Sequence, residues 1–234
     1  TDDDPRRQAE YLQVLADQSA AGAILNPASA AGADISALSA HGIPVVSLEM
    51  DLAAAADSVH CDDAAGARLA TRHLAEAGAG RIACVTGGAE TPSARERLAG
   101  YRQVISELGF PVRPEFIAHT DYREAQGEAA VRRMFDFEDP PDALFAANNR
   151  LVIGALRALR ALGRRVPEDV MVAGFDELPW MDLIEPPVTT IAQHSYEIGA
   201  TAAEMLIERI DGYDGPARRV AIPPTLTVRA SSRG

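Results

Sequence analysis

The chain has 234 residues, 47% of them hydrophobic and 24% charged, which is enough apolar material for one large or two modest domains and argues against disorder. Its formal charge is −12, its cations are arginines without a single lysine, and no basic cluster stands out, which argues against a surface that tracks a nucleic-acid backbone. No apolar run approaches membrane-spanning length and no signal peptide opens the chain, while Thr1-Asp2-Asp3-Asp4 reads as a cut inside a longer protein.

Residues 5–20 place Tyr11, Leu12, Val14 and Leu15 on a helical face behind a Pro-marked start. Ala23-Ile24-Leu25 reads as a strand, 29–41 as a helix stopped by Gly42, and 44–48 and 58–61 as strands. Asp62 or Asp63 can cap a helix over 64–77. Gly78-Ala79-Gly80 is a helix-to-strand turn, because phosphate-binding glycine loops follow a strand and open a helix. Strand 81–85 leads through Thr86-Gly87-Gly88 to a helix over 93–108, and strand 116–118 leads through Thr120-Asp121-Tyr122 to a helix over 124–137. Strand 143–147 precedes a helix capped by Asn148 or Asn149 that runs to Leu162.

The apolar run Val170 to Ala173 reads as a strand buried on both faces. Gly174 is expected to turn the chain sharply, so that Asp176 lands just past the strand's carboxyl end, where open α/β sheets bind ligands. Pro186-Pro187, a strand over 188–191, a helix over 195–210 and strands at 220–222 and 226–228 complete the pattern. Strands alternating with helices of roughly 12–16 residues imply βαβ units and parallel sheets.

Cys61 and Cys84 lack any C-x-x-C or His-rich context, so both read as free thiols of a reducing compartment, which favours the cytoplasm. The chain has no G-x-x-x-x-G-K-[ST], G-x-S-x-G or H-E-x-x-H, and its five histidines (41, 60, 73, 119 and 194) have no metal-ligand spacing. No catalytic residue, metal or cofactor is expected.

The run from Pro167 to Gln193, PEDVMVAGFDELPWMDLIEPPVTTIAQ, is similar to the C-terminal signature of LacI/GalR-type transcriptional repressors. Thr86–Tyr101 (TGGAETPSARERLAGY) and Phe145–Gly163 (FAANNRLVIGALRALRALG) agree with the same family in order and spacing. The resemblance implies an α/β fold of two Rossmann-like lobes with parallel sheets, joined by three crossovers as in type I periplasmic sugar-binding proteins. Lobe one would hold residues 1–78 plus 193–216, and lobe two 79–192 plus 217–234. The family's helix-turn-helix, hinge helix and first strand-helix-strand have no counterpart here, so lobe one is expected to be incomplete at its start.

The family motif and the residue chemistry point to the same ligand positions. Arg97 offers a planar fork of donors suited to vicinal hydroxyls or a carboxylate; otherwise it is a surface arginine paired with Glu96 or Glu90. Asp176 would accept from ligand hydroxyls, and Asn148 would add directional hydrogen bonds while capping its helix. Asn149 departs from the family, which more often has Asp there. Tyr122 matches an aromatic position that packs on a ligand ring, with a core-edge tyrosine as the plain alternative. Gln193 and Ser93 match further ligand positions, and Trp180 either closes over the cleft or packs in a dimer seam. Ile153, Leu183 and Ile184 match dimer-interface positions.

The function implied is the ligand-sensing and dimerisation core of a transcriptional regulator. A small polar metabolite, a sugar or derivative, would bind between the lobes of a homodimer and change operator affinity through a DNA-binding headpiece that this chain does not include. No membrane partner is expected. The alternative is a periplasmic-type solute-binding protein of the same architecture, and catalysis is the weakest of the three readings.

Overall fold

The computed structural model describes residues 4–27, 34–52 and 56–233, and they form two α/β units. Unit 1 comprises residues 1–61 and 194–222. Its helix α1 (Pro5–Asp17) starts where sequence chemistry says it should: Pro5 occupies the first turn and the Asp4 carboxylate accepts from the Arg6 amide at 2.8 Å. The helix buries Gln8, Leu12 and Ala16, a spacing of four, and leaves Tyr11 and Val14 59% and 46% exposed. The buried stripe therefore lies one step round from the expected one, with Leu12 and Ala16 in the core cluster that also holds Leu38 of α2 (Ser36–Ala40). Part of the helix expected over 29–41 lies outside the described residues.

Strands β1 (Ala23–Leu25), β2 (Val45–Leu48) and β3 (Asp57–Cys61) pair in parallel, in that order. Helix α3 (Asp63–Glu76) follows, with the Asp62 carboxylate accepting from the Ala65 amide at 2.7 Å as its cap. In unit 2, which comprises residues 62–193 and 223–234, the next elements are β4 (Ile82–Thr86), α4 (Pro92–Glu107), β5 (Ile117–His119) and α5 (Glu124–Met134). They are followed by β6 (Ala143–Ala146), α6 (Asn149–Ala161), β7 (Met171–Phe175) and β8 (Thr189–Ala192). Helix α7 (Ser195–Ile210) and β9 (Arg219–Ile222) belong to unit 1, and β10 (Thr225–Thr227) to unit 2.

The six-stranded sheet of unit 2 runs β10-β8-β7-β6-β4-β5. Every residue of β4, β6 and β7 is buried, as continuous apolar runs covered by helices on both faces require. Two expectations change. The division between the units falls after Cys61 and after Ile222 rather than near 78 and 216, because α3 packs on α4 and on β7 while β9 pairs with β3. The sheet is also not wholly parallel: β10 pairs antiparallel with β8. It follows β9 directly through Pro223-Pro224 and lies at the sheet's edge.

Strand β7 runs through Gly174 and Phe175, two residues beyond the expected end. Gly174 is not the turn. A Cβ there would lie 2.5 Å from Val152 Cγ2, so the glycine serves the packing of α6 onto the strand, and the chain turns at Asp176, with φ +71°.

Candidate ligand-binding site

Tyr122, Asn148, Asp176 and Gln193 come at or just past the carboxyl ends of β5, β6, β7 and β8, the end of a parallel sheet at which ligands bind. Tyr122, Asp176 and His194 take left-handed φ of +62°, +71° and +57°. A non-glycine residue pays about 1–2 kcal/mol for this conformation, so it persists only where surrounding contacts hold it. At Asp176 those contacts are visible. One carboxylate oxygen accepts from the Asn149 backbone amide at 3.1 Å and from Asn149 Nδ2 at 2.9 Å. The other accepts a short hydrogen bond from Gln193 Nε2. Asn148 Oδ1 accepts from the Leu151 amide at 2.8 Å, which makes Asn148 the cap of α6 and leaves Asn149 free to hold Asp176.

Asp176 continues into Glu177, whose carboxylate accepts from Thr190 Oγ1 at 2.8 Å and forms a short ion pair with Arg229. Arg229 also donates to the Val188 carbonyl at 2.9 Å and to Thr190 Oγ1 at 2.8 Å. The returning C-terminal segment thus clamps the loop that carries Asp176. Burial works against the charge on Glu177, but Arg229 and Thr190 outweigh it and hold the carboxyl below the usual glutamate range.

Arg97 is 4% exposed, so the alternative of a surface arginine paired with Glu96 or Glu90 does not hold. Its Nε donates to Asp63 Oδ1 at 2.7 Å, its Nη1 donates to the Ala147 carbonyl at 2.5 Å, and its guanidinium lies 3.7 Å from the centroid of the Phe175 ring. Burial disfavours its charge, but Asp63 foremost, with Asp176 and Tyr122 adding, keeps the guanidinium ionised above its ordinary range. Sequence reasoning offered Asp63 only as a cap, a role Asp62 fills; the ion pair spans 34 positions and no local signal marks it.

The Tyr122 ring packs against Gly87, where a Cβ would come 2.2 Å from its Cε2. Burial pushes its hydroxyl above the ordinary tyrosine range, with Arg97, Ser93 and Thr86 pulling the other way. That hydroxyl is buried without a hydrogen-bond partner among the described residues. Ser93 sits in the first turn of α4, near it.

Trp180 does not join this group. It lies on the short 3-10 turn Pro179–Met181, and with Ile153 and Ile184 it lines a separate hollow of about 670 Å³ rimmed by Arg157 and Arg160. Leu183, beside that hollow in sequence, is 81% exposed. Among the described residues, no group of three or more His, Cys, Asp and Glu side chains is arranged to hold a metal, and no helix is long and apolar enough to cross a membrane.

Parallel strands that deliver polar side chains at their carboxyl ends are where open α/β sheets bind ligands. A family model described as a periplasmic binding protein-like domain matches residues 71–232. The HTH-type transcriptional repressor PurR of Aliivibrio salmonicida (strain LFI1238) is 30% identical over 237 residues, covering 99% of this chain and 70% of that protein. The HTH-type transcriptional repressor CytR of Escherichia coli (strain K12) is 35% identical over 176 residues, covering 75% of this chain and 52% of that protein. Among solved structures, the transcriptional regulator CelR-cellobiose complex superposes with a TM-score of 0.85 at 32% identity, covering 95% of this chain and 69% of that one. The chain belongs to the LacI/GalR family of transcriptional regulators and corresponds to its effector-binding core. It spans 70% of the PurR repressor and 52% of CytR.

Proposed function

We propose that the chain senses a small polar metabolite, a sugar or sugar derivative, and is the ligand-binding part of a cytoplasmic repressor that binds DNA through a headpiece outside this sequence. The observation that carries the reading is Asp176, held in a left-handed conformation at the carboxyl end of β7 by Asn149 and Gln193. A carboxylate presented in this way is an acceptor for ligand hydroxyls. The related CelR regulator is known in complex with cellobiose, which supports a sugar as the ligand class. Two copies associate through the face that carries Ile153, Leu183 and Ile184, where exposed Leu183 gains cover from a partner. Ligand binding acts on DNA affinity by favouring one of two states of the core, so its effect is set by differential affinity and not by tightness alone. The chemistry is binding and not turnover.

The test is thermal denaturation of the chain with a panel of sugars. A ligand at one hundred times its Kd stabilises by about 2.7 kcal/mol. Asp176→Ala and Gln193→Ala are expected to abolish the ligand-induced rise in Tm. An undiminished rise in both variants rejects the site.

A further inference from the structure

We propose that the ligand of this site is uncharged or cationic, a molecule rich in hydroxyl or amino groups, and that sugars carrying a carboxylate or phosphate are excluded. The inference rests on the sugar-sensing reading and narrows it. It starts from how Arg97, the one buried arginine among the described residues, is used. Arg97 is paired inside the protein, with Nε on Asp63 at 2.7 Å, Nη1 on the Ala147 carbonyl at 2.5 Å and its flat face 3.7 Å from the Phe175 centroid, which leaves Nη2 uncommitted among the described residues. Asp63, itself 3% exposed, cancels the guanidinium charge. What remains uncancelled in the cluster is the carboxylate of Asp176. Its two partner side chains are neutral amides.

Of the arginines next to these residues in sequence, two are engaged as well, while Arg150 lies exposed at the start of α6. Arg123 pairs with Asp121 at 3.3 Å, and Arg95 turns toward the carbonyls of Ala89 and Glu90, each at 3.4 Å.

The site offers both donors and acceptors, since each side-chain amide keeps at least one N–H beside its carbonyl oxygen. The Asp176 oxygen that takes both Asn149 donors has its lone pairs filled, while the one bonded to Gln193 keeps a lone pair open. Asn149 and Gln193 each donate through nitrogen, and the described residues supply no donor to their carbonyl oxygens. Asn148, whose oxygen serves the helix cap, offers its amide donors, and the buried Tyr122 hydroxyl can play either part. A ligand O–H or N–H finds acceptors here. A carboxylate or phosphate group would bring a like charge toward Asp176 and no donor for its open lone pair.

The experiment compares matched sugars on the whole chain by calorimetric titration: glucose, glucosamine and glucuronate; galactose and galacturonate; ribose and ribose 5-phosphate; cellobiose and cellobionate. Within whichever set binds, the neutral or amino member is expected to bind at least tenfold more tightly than its anionic counterpart. Asp176→Asn keeps the shape and removes the charge, so it should weaken the neutral sugar and narrow that ratio by about tenfold. An anionic member binding as tightly as its neutral counterpart overturns the proposal, and this comparison needs no variant. A ratio unchanged in a folded Asp176→Asn protein also overturns it. A panel in which no member binds removes the sugar-sensing reading, and this inference with it.

Discussion

Arg97 combines an ion pair, a carbonyl hydrogen bond and a stacked ring in one buried place, and each contact depends on the others. Asp63 repays the cost of taking the guanidinium out of water, and the Phe175 face accepts its flat side. Removing one partner of such a pair leaves the other buried and uncompensated, which costs about 3–5 kcal/mol. Arg97→Ala and Asp63→Ala are each expected to lose stability of that order in urea denaturation. The paired change Arg97→Met with Asp63→Leu should recover most of it, because both charges are then gone and apolar side chains fill the space. Losses that simply add in the double variant would show that the two residues do not act as a pair. The same arithmetic bears on ligand binding: a variant of Arg97 confounds recognition with folding, whereas Asp176 and Gln193, which are half-buried, report recognition more directly.

At the scale of elements, local chemistry is legible and distant pairing is not. The caps at Asp4, Asp62 and Asn148, and α7 over Ser195–Ile210, follow from side-chain chemistry and periodicity within a few residues. The run through Gly174 misleads because a glycine at the end of an apolar stretch reads equally as a turn or as a close packing contact. Only the position of Val152, on a helix 22 positions earlier, decides between them. The buried stripe of α1 and the direction of β10 are hidden for the same reason: each is set by what the element packs on or pairs with, and not by its own residues. Of the candidate site, the strand ends that carry Tyr122, Asn148, Asp176 and Gln193 were readable from sequence, while Asp63, Phe175, Gly87 and the Glu177–Arg229 clamp needed coordinates. Gly174→Ala tests the packing account. Overfilling a close-packed contact costs about 1–3 kcal/mol, and Val152→Ala in the same chain should return part of that loss by clearing the space. If Gly174→Ala is neutral, or Val152→Ala adds to its cost, the glycine has another role.

Over the whole molecule the chain passes from one unit to the other three times, after Cys61, Gln193 and Ile222, and in unit 1 the approach to the last passage is tied to the sheet by one carboxylate. Asp57, at the start of β3 and 1% exposed, accepts from Arg209 at 2.8 and 3.0 Å and from Arg218 at 2.8 Å. The Tyr213 ring lies 4.6 Å from one guanidinium and 4.4 Å from the other, so residues 209–218 fold around this point. Burial pushes the Asp57 carboxyl up, but its hydrogen bonds to Arg209 and Arg218 win and bring it down to about 2. A carboxyl that titrates lower in the folded chain than in the unfolded one stabilises the fold at pH values above the ordinary aspartate range. That contribution is lost as the pH falls from about 4 toward the folded value. Asp57→Asn keeps the shape but cannot carry the charge, so the urea midpoint of the native chain should exceed that of the variant clearly at pH 7, and the gap should close progressively between about pH 4 and pH 2. Asp169, also held near 2 by Arg165, titrates in both proteins and cancels in the difference. A gap that stays constant down to pH 2 would mean that Asp57 contributes through its shape and neutral hydrogen bonds, and that its charge does not hold this crossing in place.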